Sequence, residues 1–305
     1  MKNFLILILL LLIFNKSHSI ETKIVHNIQN EIITNIDIKN EFKYLVALNN
    51  NLKNLNKDKI LKISNESIIR ETIKKIEILK HFKEIKIKEE YENILLKNIF
   101  SSLNLKSLDE FKIYLKNYDL TLNDVKKKIA IDALWNDLVF SKYASQITIN
   151  EGQIRNKISN NVDVQTWEYK LSEIIFEIKN KEEFQNKYNE IIKSIAEIGF
   201  ENSASIYSIT ASSKTGGDIG WVSENSLNEK IKKKIIYLKK GEISEPIILS
   251  TGVLLLKVID NKSSKTNNDQ KTELQKAINY ERNRQLNQYS KIYYNKIKKN
   301  LEFNE

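Results

Sequence analysis

Cysteine is absent from the 305 residues, which excludes disulfide frameworks, thiolate metal sites and thiol nucleophiles. Proline occurs once and glycine seven times, too few for Gly-rich cofactor folds or a large turn-rich β-sandwich. Arginine is scarce as well. Four arginines, at 70, 155, 282 and 284, stand against 45 lysines, so the bidentate chemistry that reads phosphates and bases has little to work with. The histidines are His18, His26 and His81. They lie in no nucleophile or metal-ligand context, and neither a metal nor another cofactor is expected.

What remains is a chain that is 41% hydrophobic and 29% charged, with enough apolar material for one to three compact domains and a mostly helical fold. The formal charge of +10 is carried by lysines that alternate with acids along helical stretches. That pattern describes a solvated face, and no nucleic-acid partner is expected.

The N-terminus carries a positive charge at Lys2, an uninterrupted apolar run from Phe4 to Phe14, and small residues at Ser17 and Ser19. This is the pattern of a cleaved secretory signal peptide over residues 1–19. Eleven apolar residues span only about 16 Å as a helix, short of a bilayer core, so stable membrane insertion is not expected. A periplasmic location follows most simply.

Lys23 to Ile28 and Glu31 to Thr34 predict a small hairpin around Gln29-Asn30. The sequence then turns helical. Asn65 is the expected cap of a helix carrying Ile69, Ile73, Ile76, Leu79 and Phe82. Tyr91, Ile94, Leu95 and Ile99 mark the next, and Ser107 to Glu110 have capping-box spacing ahead of Phe111, Tyr114, Leu115 and Tyr118. Thr121 and Asp124 open a longer helix through Val125, Ile129, Ala133, Asn136 and Phe140. Residues 261–270 read as a polar linker. The stripe that follows, Leu274, Ile278, Leu286, Tyr289, Ile292 and Leu301, needs a partner to bury it. Residues 20–150 and 271–305 are therefore expected to form one discontinuous helical unit.

Between them, residues 166–262 have a β-α-α-β-α-β-β order: Tyr169 to Ile178, Lys181 to Ala196, Phe200 to Ser208, the GGDIGWV strand, Leu227 to Leu238, Ile243 to Leu249 and Val253 to Ile259. The runs FENSASIYS, GGDIGWV and LKKGEISEPIILSTGVLLLKV resemble the parvulin, or PpiC-type, peptidyl-prolyl cis/trans isomerases. The surrounding helices and returning C-terminal helix are similar to the SurA group of periplasmic chaperones for outer-membrane proteins, shortened to one parvulin domain. The resemblance implies an α+β, predominantly helical fold in which a SurA-type N-terminal region is completed by the C-terminal helix.

The resemblance also implies a site. The family's first-strand histidine falls at Glu173 and its last-strand histidine at Leu254. The polar position after the second helix falls at Thr210, the apolar pocket positions at Leu227 and Ile231, and the strand threonine and serine at Leu249 and Thr251. The expected polar groups are thus Glu173, Thr210 and Thr251, and the expected apolar wall is Leu227, Ile231, Leu249 and Leu254. Glu173 shares a strand face with Leu171 and Ile175, surroundings that raise a carboxyl pKa. With both histidine positions replaced, the expectation is a folding factor that holds unfolded polypeptide clients, outer-membrane proteins foremost, with weak or no isomerase activity. The alternatives are an active isomerase and a structural envelope protein. Clients would lie on apolar surface between the N-terminal bundle and the C-terminal helix.

Overall fold

The computed structural model describes residues 21–159, 166–178, 180–249, 252–264, 270–301 and 303–304. The expected signal peptide lies outside the described residues. Among the described residues, no helix is long and apolar enough to cross a membrane.

The fold is α+β and mostly helical. A hairpin of β1 (Ile24–Ile28) and β2 (Glu31–Thr34) turns through Gln29, which takes a left-handed φ of 55°. It leads into α1 (Asn35–Leu48), where Thr34 and Asp37 form a capping box. There follow α2 (Lys57–Leu79), α3 (Glu89–Ser102), α4 (Leu108–Lys116), α5 (Leu122–Tyr143) and α6 (Glu151–Ser159). Thr121 and Asp124 cap α5 reciprocally, the pairing their spacing predicts.

Two helical expectations need correction. Asn56 caps α2, nine positions before Asn65; Asn65 is interior to that helix and its side chain meets the His26 ring at 2.7 Å. On α5 the buried stripe runs through Val125, Ile129 and Ala133 to Trp135, Leu138 and Val139, whereas Asn136 and Phe140 are exposed. The cause is the tertiary partner: the C-terminal helix approaches the side of α5 that carries Trp135.

The middle of the chain forms a separate antiparallel sheet with strand order β4-β3-β6-β5, from β3 (Thr166–Phe176), β4 (Asp218–Ser223), β5 (Ile247–Leu249) and β6 (Gly252–Ser264). Helices α7 (Lys181–Ile198) and α8 (Phe200–Tyr207) cover one face through Ile191, Phe200 and Ala204. The short α9 (Glu229–Ile235), capped by Asn228, supplies Ile231 and Ile235 to a second cluster.

The chain then returns. Helix α10 (Gln270–Lys299) lies against α5 and α2, stacking Tyr293 on Trp135 at 5.5 Å and Tyr289 on Tyr143 at 4.8 Å. The Trp135 indole N–H donates to Ser290 Oγ at 2.8 Å. Buried Tyr293, Ile297 and Leu301 share a cluster with Ile28, Ile33, Ile73 and Trp135. Phe303 and Asn304, as β7, add a third strand to the hairpin beside β1. Apolar surface between the bundle and the returning helix is the place expected to hold clients; packed rings fill that seam.

Charge joins the sheet domain to the helical body. Asp132 on α5 takes Lys74 of α2 at 2.9 Å on one oxygen and Lys214 of the sheet domain at 2.6 Å on the other. Burial alone would push the Asp132 carboxyl up, but the two ammonium groups outweigh it and hold it well below the carboxylate range. Nearby, Lys128 sits between Glu41 at 2.5 Å and Glu71 at 2.6 Å, with its charge over the Tyr44 ring. Burial disfavours that ammonium, and the two carboxylates more than restore it, raising its pKa. Asn49 adds a buried hydrogen bond to Ser205 across the same seam, at 3.1 Å.

Candidate functional site

The site is built on the middle of β3. Its backbone is fixed first: Glu173 N–H donates to the Gly217 carbonyl at 2.8 Å. Gly217 has φ of 82°, and a Cβ there would stand 2.3 Å from the Glu173 carbonyl oxygen. Only glycine fits this crossing.

Around the Glu173 carboxyl runs a line of hydroxyls. Ser212 Oγ donates to Glu173 Oε1 at 2.9 Å, Thr210 and Ser212 are 2.6 Å apart, Ser208 and Thr210 are 3.0 Å apart, and Ser208 Oγ accepts from the Ile175 N–H at 3.0 Å. With Ser212 donating to the carboxyl, the donors align head to tail from the Ile175 amide to Glu173, so each bond polarises the next. Burial raises the Glu173 pKa, and the bonds from Ser212 and Thr210 only partly offset it. The site therefore holds this carboxyl's pKa above that of an ordinary surface glutamate.

Beside this polar line lies an apolar wall. Leu227, Ile231 and Leu254 are 2%, 3% and 4% exposed. They form one cluster with Tyr169, Leu171 and Val222, and Ile175, Ile219 and Leu249 pack against it. The sheet register explains the grouping, because Leu254 pairs with Ile175 on one side and with Ile247 on the other.

The structure thus brings Glu173 and Thr210 into one hydrogen-bonded line, and gathers Leu227, Ile231, Leu249 and Leu254 into one cluster. Thr251 lies outside the described residues. Sequence reasoning missed three members. Ser208 and Ser212 are the links that join Thr210 to the backbone and to Glu173, and only their spacing of two residues around Thr210 hinted at it. Tyr280 of α10 packs against the apolar cluster from outside the domain. Burial pushes its phenol up to about 12, with the Glu173 charge adding to the effect. Nothing local to residue 280 signals this contact.

Chemically, the arrangement offers an apolar surface beside a carboxyl that a line of hydroxyls holds in place. The site holds no thiol, and no group of three or more His, Cys, Asp or Glu that could hold a metal occurs among the described residues. Rotation about an X–Pro amide needs neither. It needs a surface that favours the twisted amide over both planar forms.

Residues 169–260 match the Rotamase family, described as the PPIC-type PPIASE domain. The chain is 22% identical over 173 residues to the chaperone SurA of Pseudomonas putida, covering 54% of this chain and 40% of that protein. It is 27% identical over 175 residues to the foldase protein PrsA of Geobacillus kaustophilus, covering 56% of this chain and 58% of that one. The match therefore spans about two fifths of the SurA relative and less than two thirds of the PrsA relative. Among solved structures, one from work on two SurA-like chaperones of Campylobacter jejuni aligns over 92% of this chain and 98% of its own, at 16% identity and a TM-score of 0.35. A PpiC-type isomerase domain aligns over 33% of this chain and 97% of its own, at 24% identity and a TM-score of 0.31.

A sheet domain with this strand order, matching the PpiC type along its length, makes the inserted unit a parvulin domain. The chain that carries it is similar to the chaperone SurA over 54% of its length, and one such domain lies among its described residues.

Proposed function

We propose that this protein is a periplasmic folding factor that binds unfolded or extended segments of outer-membrane or periplasmic proteins, with weak or absent peptidyl-prolyl isomerase activity. The observation that carries the reading is the composition of the parvulin site. An apolar wall of Leu227, Ile231, Leu249 and Leu254 is retained, while the histidine positions hold Glu173 and Leu254. Such a wall grips a proline ring or another apolar client side chain. Without the imidazoles, the polar groups left to follow a twisting carbonyl are Thr210, Thr251 and the acid of Glu173, and differential stabilisation of the twisted amide is correspondingly small.

Client holding needs apolar surface that the fold leaves uncovered. The seam beside α10 is filled, so the proposed surface is on α3 and α4, where Tyr91, Ile94 and Ile113 stay exposed, Ile94 at 57% and Ile113 at 64%. Clients rich in alternating apolar residues gain burial there, and the gain needs no nucleotide.

The test has two arms. Suppression of aggregation of a urea-denatured outer-membrane β-barrel protein is expected from the full chain and is expected to weaken in the triple variant Tyr91→Ser, Ile94→Ser, Ile113→Ser. No suppression by the parent chain would overturn the holding function. A protease-coupled assay on a Leu-Pro peptide is expected to show little acceleration. Strong acceleration that disappears with Ile231→Asp would replace this reading with that of an active isomerase.

A further inference from the structure

In the structure the parvulin cleft has an occupant. The three wall residues Leu227, Ile231 and Leu254 are almost fully buried, and the ring set against their cluster from outside the domain is Tyr280. Helix α10 also runs beside the turn Glu224–Ser226, which precedes Leu227. Further along, Lys291 reaches Glu177 at the end of β3 at 3.2 Å. Its Nζ comes within 3.4 Å of the space a Cβ on Gly252 would fill, at the start of β6. The same helix therefore meets the sheet domain at both Tyr280 and Lys291.

The two halves of α10 are held unequally. Residues 286–299 carry Tyr289, Tyr293 and Ile297, which stack on Tyr143 and Trp135 and enter the core of the helical body. Residues 270–284 read QKTELQKAINYERNR, mostly polar; they bury Ala277 and Ile278, and the one aromatic they bring to the sheet domain is the half-buried Tyr280. With no stacked ring and fewer large buried side chains, the first half forfeits less apolar burial on lifting than the second.

We propose that the first half of α10 is a built-in competitive cover for the parvulin cleft, with Tyr280 as the plug that an extended, proline-bearing client segment must displace. This rests on the reading of the domain as a peptide-binding cleft and adds how that cleft is controlled. A client pays the opening cost on every encounter, so apparent affinity falls in proportion to the fraction of molecules that are open. Segments with several apolar anchors, able to use α3 and α4 at the same time, recover that loss through local concentration. Short isolated prolyl peptides do not. The cover thus selects long unfolded chains over folded proteins with a single exposed proline loop.

The test uses the full chain and a fluorescent peptide bearing a Leu-Pro step. Tyr280→Ala is expected to bind it at least about tenfold more tightly than the parent, the gain expected for a cover closed nine-tenths of the time. Tyr280→Phe, which keeps the ring, should behave like the parent. Adding Ile231→Asp to Tyr280→Ala should abolish the gain. Equal affinity of the parent and a folded Tyr280→Ala variant overturns the proposal. If Tyr280→Ala does not fold, hydrogen exchange on the parent decides. Saturating peptide must speed exchange of residues 270–284 while 286–299 stay slow, and unchanged exchange of 270–284 overturns the cover. Aggregation suppression, measured on the same preparations, reports on the holding function and does not depend on which way the peptide result falls.

Discussion

Lys214 places its ammonium 2.6 Å from Oδ2 of Asp132, joining residues 82 positions apart in sequence. Lys74 occupies the other oxygen, so one carboxylate separates two like charges, one on each side of the seam between the sheet domain and the helical body. Replacing Asp132 by Asn leaves those charges facing each other. The expected cost is about 1–3 kcal/mol, below the range for breaking a fully buried pair because the Asp132 side chain is 37% exposed. Urea denaturation of the full chain measures it.

The same pair sets an acid limit. A carboxyl held low in the folded state contributes stability that is present above the unfolded pKa of 3.8 and is lost as pH falls through the folded value. The parent should therefore lose stability steeply below about pH 4, and Asp132→Asn should show a shallower fall. Parallel curves for the two proteins would show that the pair has no part in acid sensitivity.

Glu173 works in the opposite direction. Its pKa is raised in the fold, so its contribution is fully present below the unfolded value of about 4.5 and is lost as pH rises through the folded one. Glu173→Gln keeps the hydrogen-bond acceptor for Ser212 and cannot ionise. The expected outcome is a variant that matches the parent near pH 4 and becomes more stable than it toward pH 8, measured by denaturation at a series of pH values.

Trp135→Ala removes the ring that Tyr293 stacks on and the donor that Ser290 accepts. Large aromatic deletions in a core cost about 3–5 kcal/mol. Faster hydrogen exchange in residues 286–299 should accompany the loss, because this ring is what holds that half of α10.

Gly217→Ala tests the backbone crossing beneath Glu173. An added Cβ collides with the Glu173 carbonyl and sits at a left-handed φ, so destabilisation should exceed about 2 kcal/mol. Gly220, where a Cβ would meet nothing within 4 Å, is the control: its φ of 75° carries strain without the collision.

Local signals and family resemblance carried much of the fold. The hairpin around Gln29, the cap at Thr121 and the order of the inserted strands and helices are all readable within a few residues of where they occur. What could not be read depends on partners far along the chain. Ser64 and Ser67 interrupt the apolar pattern of α2, which made Asn65 resemble a helix start. In the fold Ser64 bonds back to the Ile60 carbonyl and Ser67 donates to Glu41 of another helix. On α10 the expected Ile292 is exposed and Tyr293 is buried, a shift of one position set by where Trp135 meets the helix. Of the site, the apolar wall followed from aligned family positions, whereas the contact with Tyr280 spans more than a hundred residues from Glu173 and has no local signature.

The seating of β7 beside β1 and of Tyr293 on Trp135 fixes an order of assembly. A chain emerging from its N-terminus has the hairpin and helices α1–α6 in hand long before residues 286–304 arrive, and during that interval the indole of Trp135 and one edge of β1 have no companion. The molecule finishes only when its tail comes home. Until then the apolar surface that later forms its own core stays open to neighbouring chains.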